Sequence, residues 1–471
     1  MKPYPALLCL ITALPVIGLG RTVPRACGQQ VGDNIVVTVD YETRIKDEKV
    51  DQVFAGGVHQ VIDVSGRWCA LRDIAGWIPK QYCLTLEVAL RQFNQRVRAN
   101  DEDADAWMTR GMIHLELGKV AEARRDLDRA IALNPERGNF FNNRALVNMR
   151  LNRLTPAIED LNRAIELAPE YATAWGNRGL CFHAVGDLNR AIADYTRALD
   201  LEPDVPMVLV NRGVSRLAAG QADLALEDFE AAIGLQKNLP EAFIGRSNVF
   251  LERGDLVRSD DNASEAIRLN GRSAEAWNNR GWIRYRSGKP EQARGDLDKA
   301  LQLDPKLARA WSNRGVLWAG QGKLDEAIRH YDRAIQLDPA APASHVNRGN
   351  AWLGKQEYAR ALADFDQALQ LNPADSQARN AKAWVLATAP DAALRDGVTA
   401  VRLATAVCEA TGHANPGFLD TLAAAQAEAG DFAAAVATAG QAVERAPENR
   451  RAVFQQRLDL YRDNRPYREG H

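Results

Sequence analysis

The chain has 471 residues, 46% of them hydrophobic and 25% charged, enough for several domains with buried cores. Its 59 Lys and Arg against 61 Asp and Glu leave a formal net charge of −2 with no basic stripe, which argues against nucleic acid as a partner. Mixed-sign runs such as Glu122-Ala123-Arg124-Arg125-Asp126 read as solvated helix faces.

The chain opens with Lys2 and an apolar run from Ala6 to Leu19, too short for a comfortable membrane span and suited to a signal peptide. Gly18-Leu19-Gly20 offers small residues for cleavage. The expectation is an exported protein, periplasmic or secreted. An uncleaved anchor within residues 1–27, holding the chain to an inner membrane, is the alternative and the one route to a membrane. Ala26-Cys27 invites lipidation, but Pro24 and Arg25 fit such a site badly.

Residues 31–84 change character. Val36, Val37, Val39 and Tyr41, then Val58, Val61, Ile62 and Val64, run among polar residues, and Gly56-Gly57 and Ser65-Gly66 mark turns. Short strands at this density predict a small β-barrel. Arg67-Trp68-Cys69-Ala70-Leu71 followed by Gly76-Trp77-Ile78-Pro79-Lys80-Gln81-Tyr82 resembles the last strands of SH3-like domains. That resemblance implies a peptide groove on Trp68, Pro79 and Tyr82, or a grip on cell-wall glycan; the other reading places Trp68, Trp77 and Ile78 in the barrel core. Cys69 and Cys83 share this module, and an exported location would permit a disulfide that spacing alone does not establish. Leu86, Val88, Ala89, Phe93 and Val97 predict a linker helix within 85–103.

From Ala104 the chain repeats every 34 residues. Asn-Arg-Gly recurs at Asn177-Arg178-Gly179, Asn211-Arg212-Gly213, Asn279-Arg280-Gly281, Asn313-Arg314-Gly315 and Asn347-Arg348-Gly349, with Asn143-Arg144-Ala145 and Gly245-Arg246-Ser247 as weakened copies. In the copy beginning at Ala172, Trp175, Gly179 and Phe182 share one helical face, and Ala191, Tyr195 and Ala198 another. Gly186 ends the first helix and Pro203 closes the second. One such pair cannot bury its face alone, so neighbours must stack. The pattern resembles the tetratricopeptide repeat: aromatic at 4, Gly at 8, Ala at 20 and 27, Pro at 32. Eight copies span 104–375. The resemblance implies a mainly α, right-handed α-α superhelical solenoid behind the small barrel.

Two degenerate units follow over 376–449, carrying Trp384, Ala400 and Ala404, then Leu419, Ala423, Gly430 and Ala435. Phe454, Leu458 and Tyr461 predict a capping helix within 450–471. Trp384 to Arg468, closing on Arg457-Leu458-Asp459-Leu460-Tyr461 and Arg465-Pro466-Tyr467-Arg468-Glu469, resembles the C-terminal region of tetratricopeptide proteins common in planctomycete bacteria.

The family resemblance implies protein or peptide binding on the concave face of the first helices, where positions 2, 5, 6, 9 and 12 point. Position 6 supplies Asn143, Asn177, Asn211, Asn279, Asn313 and Asn347, either holding a peptide backbone or bonding the scaffold. Trp282 and Tyr285, with Arg286 nearby, have the composition of a binding hot spot or else pack on the adjacent repeat. Asn248, Asn279 and Arg309 match part of a clamp that captures terminal carboxylates in the family, while Ile244 and Asn313 depart from it. Arg at position 7 recurs with Asp at position 23, as Asp126, Asp160, Asp194, Asp228, Asp296 and Asp364; each Arg is expected to bridge an Asp and staple neighbouring repeats, with Asn262 and His330 as breaks.

No phosphate-binding Gly-Lys loop, Gly-x-Ser-x-Gly elbow, His-Glu-x-x-His or Cys-x-x-Cys is present, and the seven His are scattered. No catalytic residue, metal site or cofactor is therefore expected. The reading is a non-enzymatic scaffold; a chaperone or targeting factor for exported clients, and a display module anchored by the barrel, are the alternatives.

Overall fold

A computed structural model describes residues 83–470, and the backbone of six earlier strands between 34 and 79. The strands are β1 (Asn34–Val37), β2 (Tyr41–Ile45), β3 (Glu48–Val53), β4 (Val58–Ser65), β5 (Trp68–Leu71), β6 (Ile74–Pro79) and β7 (Cys83–Thr85). They neighbour one another in the order β3-β2-β6-β5-β4-β1-β7, antiparallel at each pairing. Trp68 opens β5 and Pro79 closes β6. Their side chains, Tyr82, the cysteine pairing and the segment 1–27 lie outside the described residues.

The chain divides into two compact units, residues 1–249 and 250–471. The first holds α1 (Leu86–Ala99), α2 (Ala104–Glu116), α3 (Val120–Leu133), α4 (Gly138–Arg150), α5 (Leu154–Leu167), α6 (Ala172–Ala184), α7 (Leu188–Leu201), α8 (Pro206–Ala218) and α9 (Ala222–Leu235). Helix α10 (Pro240–Glu252) spans the division. The second unit holds α11 (Leu256–Leu269), α12 (Ala274–Arg286), α13 (Pro290–Leu303), α14 (Ala308–Gly320), α15 (Leu324–Leu337), α16 (Pro342–Gly354) and α17 (Tyr358–Leu371). After α18 (Ser376–Thr388) a 3-10 turn at Ala392–Leu394 precedes α19 (Gly397–Ala410), α20 (Pro416–Glu428), α21 (Phe432–Arg445) and α22 (Glu448–Arg462). The molecule is thus mainly helical, a solenoid of repeated helix pairs.

Close approach within a pair is set by the glycine at position 8. A Cβ added at Gly179 would stand 2.8 Å from the Tyr195 ring, and one at Gly349 2.6 Å from the Phe365 ring. The aromatic at position 24 lies flat against bare backbone there, so Tyr195 is 1% and Phe365 0% exposed. Gly186, with φ at +83°, turns the chain from α6 into α7 in a conformation that costs an L side chain strain. The tryptophan at position 4 then ties a pair to the one before. The Trp175 indole donates to the Pro169 carbonyl at 2.9 Å, and Trp311 to Pro305 at 3.0 Å.

The Arg at position 7 carries the polar part of the packing. Arg178 donates through Nε and Nη2 to both Asp194 oxygens at 2.7 and 2.8 Å, and through Nη1 to Asn162 Oδ1 at 2.8 Å. The Asp is in the same repeat, 16 residues on; the neighbour is reached by the third donor, at position 25 of the preceding repeat. The expected staple is therefore corrected in its geometry: the carboxylate pair closes one repeat, and Nη1 joins two. Arg144, Arg212, Arg280 and Arg348 repeat the arrangement with Asp160, Asp228, Asp296 and Asp364, and reach back to Asp128, Thr196, Ser264 and Asp332. These pairs raise the Arg144 and Arg348 guanidinium groups above their ordinary value through the hydrogen bonds they donate to their own aspartates. Burial opposes ionisation of Asp126, but hydrogen bonds from Arg110 and His114 outweigh it and hold the carboxyl below its usual range.

Arg110 makes the same backward contact to Asn94 on α1, at 3.2 Å, and Trp107 donates to Asp101 O at 2.9 Å. Helix α1, read from the sequence as a linker, thus occupies the place of a second helix preceding the first repeat. At the far end Phe454, Leu458 and Tyr461 on α22 are 1%, 4% and 0% exposed.

Two measurements follow. Gly179→Ala is expected to destabilise the fold by about 1–3 kcal/mol in chemical denaturation, since the Tyr195 ring must leave its place. A double-mutant cycle on Arg178 and Asp194 is expected to show coupling of about 2–3 kcal/mol, whereas Arg178 with Asp160 is expected to couple within error.

Candidate binding face

The first helix of each repeat carries the residues expected to meet a partner. Asn177 and Asn211 are only 1% and 3% exposed. Asn177 Nδ2 donates to Asn142 Oδ1 of the preceding repeat at 2.9 Å, and Asn313 repeats the bond to Asn278 at 2.9 Å. Asn347 donates to Ser312 Oγ at 3.4 Å, and Asn143 accepts from Asn142 at 3.4 Å. Asn248 and Asn279 are likewise engaged. Of the two roles open to position 6, the bond to the scaffold is the one whose geometry is present: Asn177, Asn313 and Asn347 each link their first helix to the residue at position 5 one repeat earlier.

Trp282 and Tyr285 stack with ring centroids 5.6 Å apart, and both are half-buried. Trp282 packs against Leu251, Ala263 and Ile283; Tyr285 packs against Ala293, Leu297 and Leu317. Both rings are therefore partly seated in the scaffold and partly open to solvent. Arg286 beside them is half-buried. Arg309 Nη2 pairs with Glu275 at 2.5 Å, so the cation expected of a carboxylate clamp is already neutralised within the scaffold.

The seventh repeat interrupts the polar ladder. His330 stands where six of the other repeats place Asp, against Trp311 and Trp318 at 5.5 and 6.3 Å between ring centroids. Arg314 keeps its backward ion pair to Asp298 at 3.1 Å, but its buried Nε has no hydrogen-bond partner among the described residues. Burial, reinforced by the Arg314 charge, pushes the His330 imidazole below its ordinary value. Cys181 and Cys408 are buried, and burial pushes their thiols up to about 12 and about 11, so neither is a ready nucleophile. Among the described residues no group of three or more His, Cys, Asp or Glu is placed to hold a metal ion, and no helix is long and apolar enough to cross a membrane.

Models of the tetratricopeptide repeat match residues 86–138, 109–172, 172–205, 244–308, 278–342 and 342–375, together more than half of the chain. The chain is a tetratricopeptide repeat protein. Residues 206–235, outside the matched ranges, fold as the same helix pair, with Arg212 on Asp228 at 2.7 Å. The array is similar in fold to the APC/C hetero-tetramer Cut9-Hcn1, at 18% identity over 73% of this chain and 67% of that one, TM-score 0.50. A tetratricopeptide repeat protein from Parabacteroides merdae is 18% identical over 53% of this chain and 98% of its own, TM-score 0.48. Yeast Tom70 is 16% identical over 80% and 92%, TM-score 0.41. No curated protein matches the sequence.

The His330 site yields a pH prediction. The folded chain keeps this imidazole neutral at pH values where the unfolded chain, near 6.5, takes a proton. Its contribution is fully present above 6.5 and is lost as pH falls through the lower folded value. His330→Asp supplies Arg314 with the missing carboxylate and removes that titration. The variant is expected to gain about 1–3 kcal/mol at pH 7, with the gap to wild type widening as pH falls below 6.5 in urea unfolding series.

Proposed function

We propose that this tetratricopeptide array is a non-enzymatic scaffold that binds protein or peptide segments on the face of its first helices. The observation that supports this reading best is the half-buried Trp282–Tyr285 stack, an aromatic pair with Arg286 beside it among polar groups largely taken up by the scaffold. A partner then meets few competing charges there and is read by aromatic contact at an irregular repeat. Arg309 and the Asn of position 6, Asn143 through Asn347, contribute by shaping this face.

We further propose that the chain is exported, with residues 1–27 as signal or anchor, and that the strands before α1 form an SH3-like module with Trp68, Pro79 and Tyr82 as its groove. The resemblance to planctomycete proteins at the C-terminus agrees with a bacterial envelope setting.

The test is affinity capture from the producing cell with the mature chain and with a Trp282→Ala, Tyr285→Ala variant, both checked for folding by circular dichroism. A stoichiometric partner retained by wild type and weakened tenfold or more in the variant is expected for the scaffold. Many weakly held, unfolded clients would favour a chaperone instead. Retention by sacculi or membranes that persists in the variant would favour a display module.

A further inference from the structure

The last residues fold back onto the second unit. After α22 the chain turns at Asn464, with φ at +54°, and Arg465 N–H donates to Leu460 O at 2.9 Å. Residues Pro466 to Glu469 are half-buried, with no helix or strand of their own. Their contacts are specific at successive positions. The Tyr467 ring lies 5.8 Å from Trp384, and the Arg457 guanidinium sits 4.7 Å from Trp384 and 4.5 Å from Tyr467. Arg457 is itself fixed by an ion pair to the buried Asp420. Arg468 pairs with Glu428 at 2.5 Å and donates to Ala387 O at 3.2 Å, while the Glu469 N–H donates to Thr388 O at 2.9 Å.

These acceptors explain the choice of residues. Ala387 and Thr388 end α18, where carbonyls lack partners within their own helix and the helix dipole favours a cation. Arg468 and the Glu469 amide supply both needs. Trp384 and Asp420 occupy positions 9 and 5 of the two degenerate units. An aromatic slot lined by an Arg, a carboxylate beside a helix C-terminus, and a carbonyl for a backbone N–H together describe a peptide site for the order aromatic–arginine–residue.

We propose that Trp384, Arg457, Glu428 and the C-terminus of α18 form a peptide-binding site for an aromatic–arginine segment, and that the chain's own tail, residues 465–470, occupies it as a tethered ligand. The short tether from Tyr461 supplies an effective concentration on the order of millimolar, so modest intrinsic affinity keeps the site closed to competitors until one binds more tightly. The dock is imperfectly satisfied: Tyr358 Oη and Glu469 Oε2 are buried with no hydrogen-bond partner among the described residues, which favours displacement. The inference stands apart from the Trp282–Tyr285 face and holds whatever that face binds.

The test uses the full chain and a fluorescent peptide copying residues 463–471. A Tyr467→Ala, Arg468→Ala variant, with its tail weakened, is expected to bind the peptide at least tenfold more tightly than wild type does in anisotropy titrations. A peptide carrying the same two alanines is expected to lose that binding. In the unaltered chain, millimolar peptide is expected to raise deuterium uptake at residues 463–471, a readout that does not depend on the variant folding. Equal affinity of variant and wild type, or tail exchange that excess peptide leaves unchanged, would overturn the proposal.

Discussion

A carboxylate that is 2–5% exposed in six of the eight repeats is the constraint on which this architecture rests. Removing an ion from water costs several kcal/mol, and the low-dielectric interior returns that only to a partner of fitting geometry. Arginine provides it. Two parallel donors engage Asp194, and the same rigid plane leaves Nη1 aimed at the preceding repeat. A solenoid has only nearest-neighbour contacts with which to fix its register. Apolar packing of Ala, Leu and Tyr tolerates small slippage; a three-pronged guanidinium does not.

That economy shapes what is left for function. The Arg, the Asp and several of the Asn at recurring positions bond within the scaffold, so the regular part of the sequence describes how repeats adhere. On the proposed reading, recognition falls to irregular places: the half-buried Trp282–Tyr285 stack, and the degenerate units where Tyr467 of the returning tail lies beside Trp384. His330 marks a third irregularity, where an aromatic cluster replaces the carboxylate and leaves Arg314 incompletely bonded.

Much of the fold was legible because its determinants are local and periodic. Gly179 opposite Tyr195, Gly186 at a positive φ, and Phe454, Leu458 and Tyr461 on one face of the cap all lie where spacing put them. The site was less legible. Position 9 read as groove-facing for Trp282, yet the ring is half-sunk against Leu251 and Ala263. Helical phase gives the direction of a side chain from its axis but not how near the next helix comes. Likewise α1 carries only an apolar stripe, and nothing in it announces that Asn94 would receive Arg110.

By itself the sequence determined the repeat unit and its helix ends, since a 34-residue period fixes local geometry through short-range sterics and capping. It also singled out Arg and Asp as partners. Spacing left Asp160 and Asp194 equally near Arg178, at 18 and 16 residues, and left the tail unplaced. Only the tertiary structure decided both. The crossing of two helices within a repeat brings Asp194 under the guanidinium, and the end of α18 offers the tail its unpaired carbonyls. Such choices depend on the relative placement of whole helices, which no single period encodes.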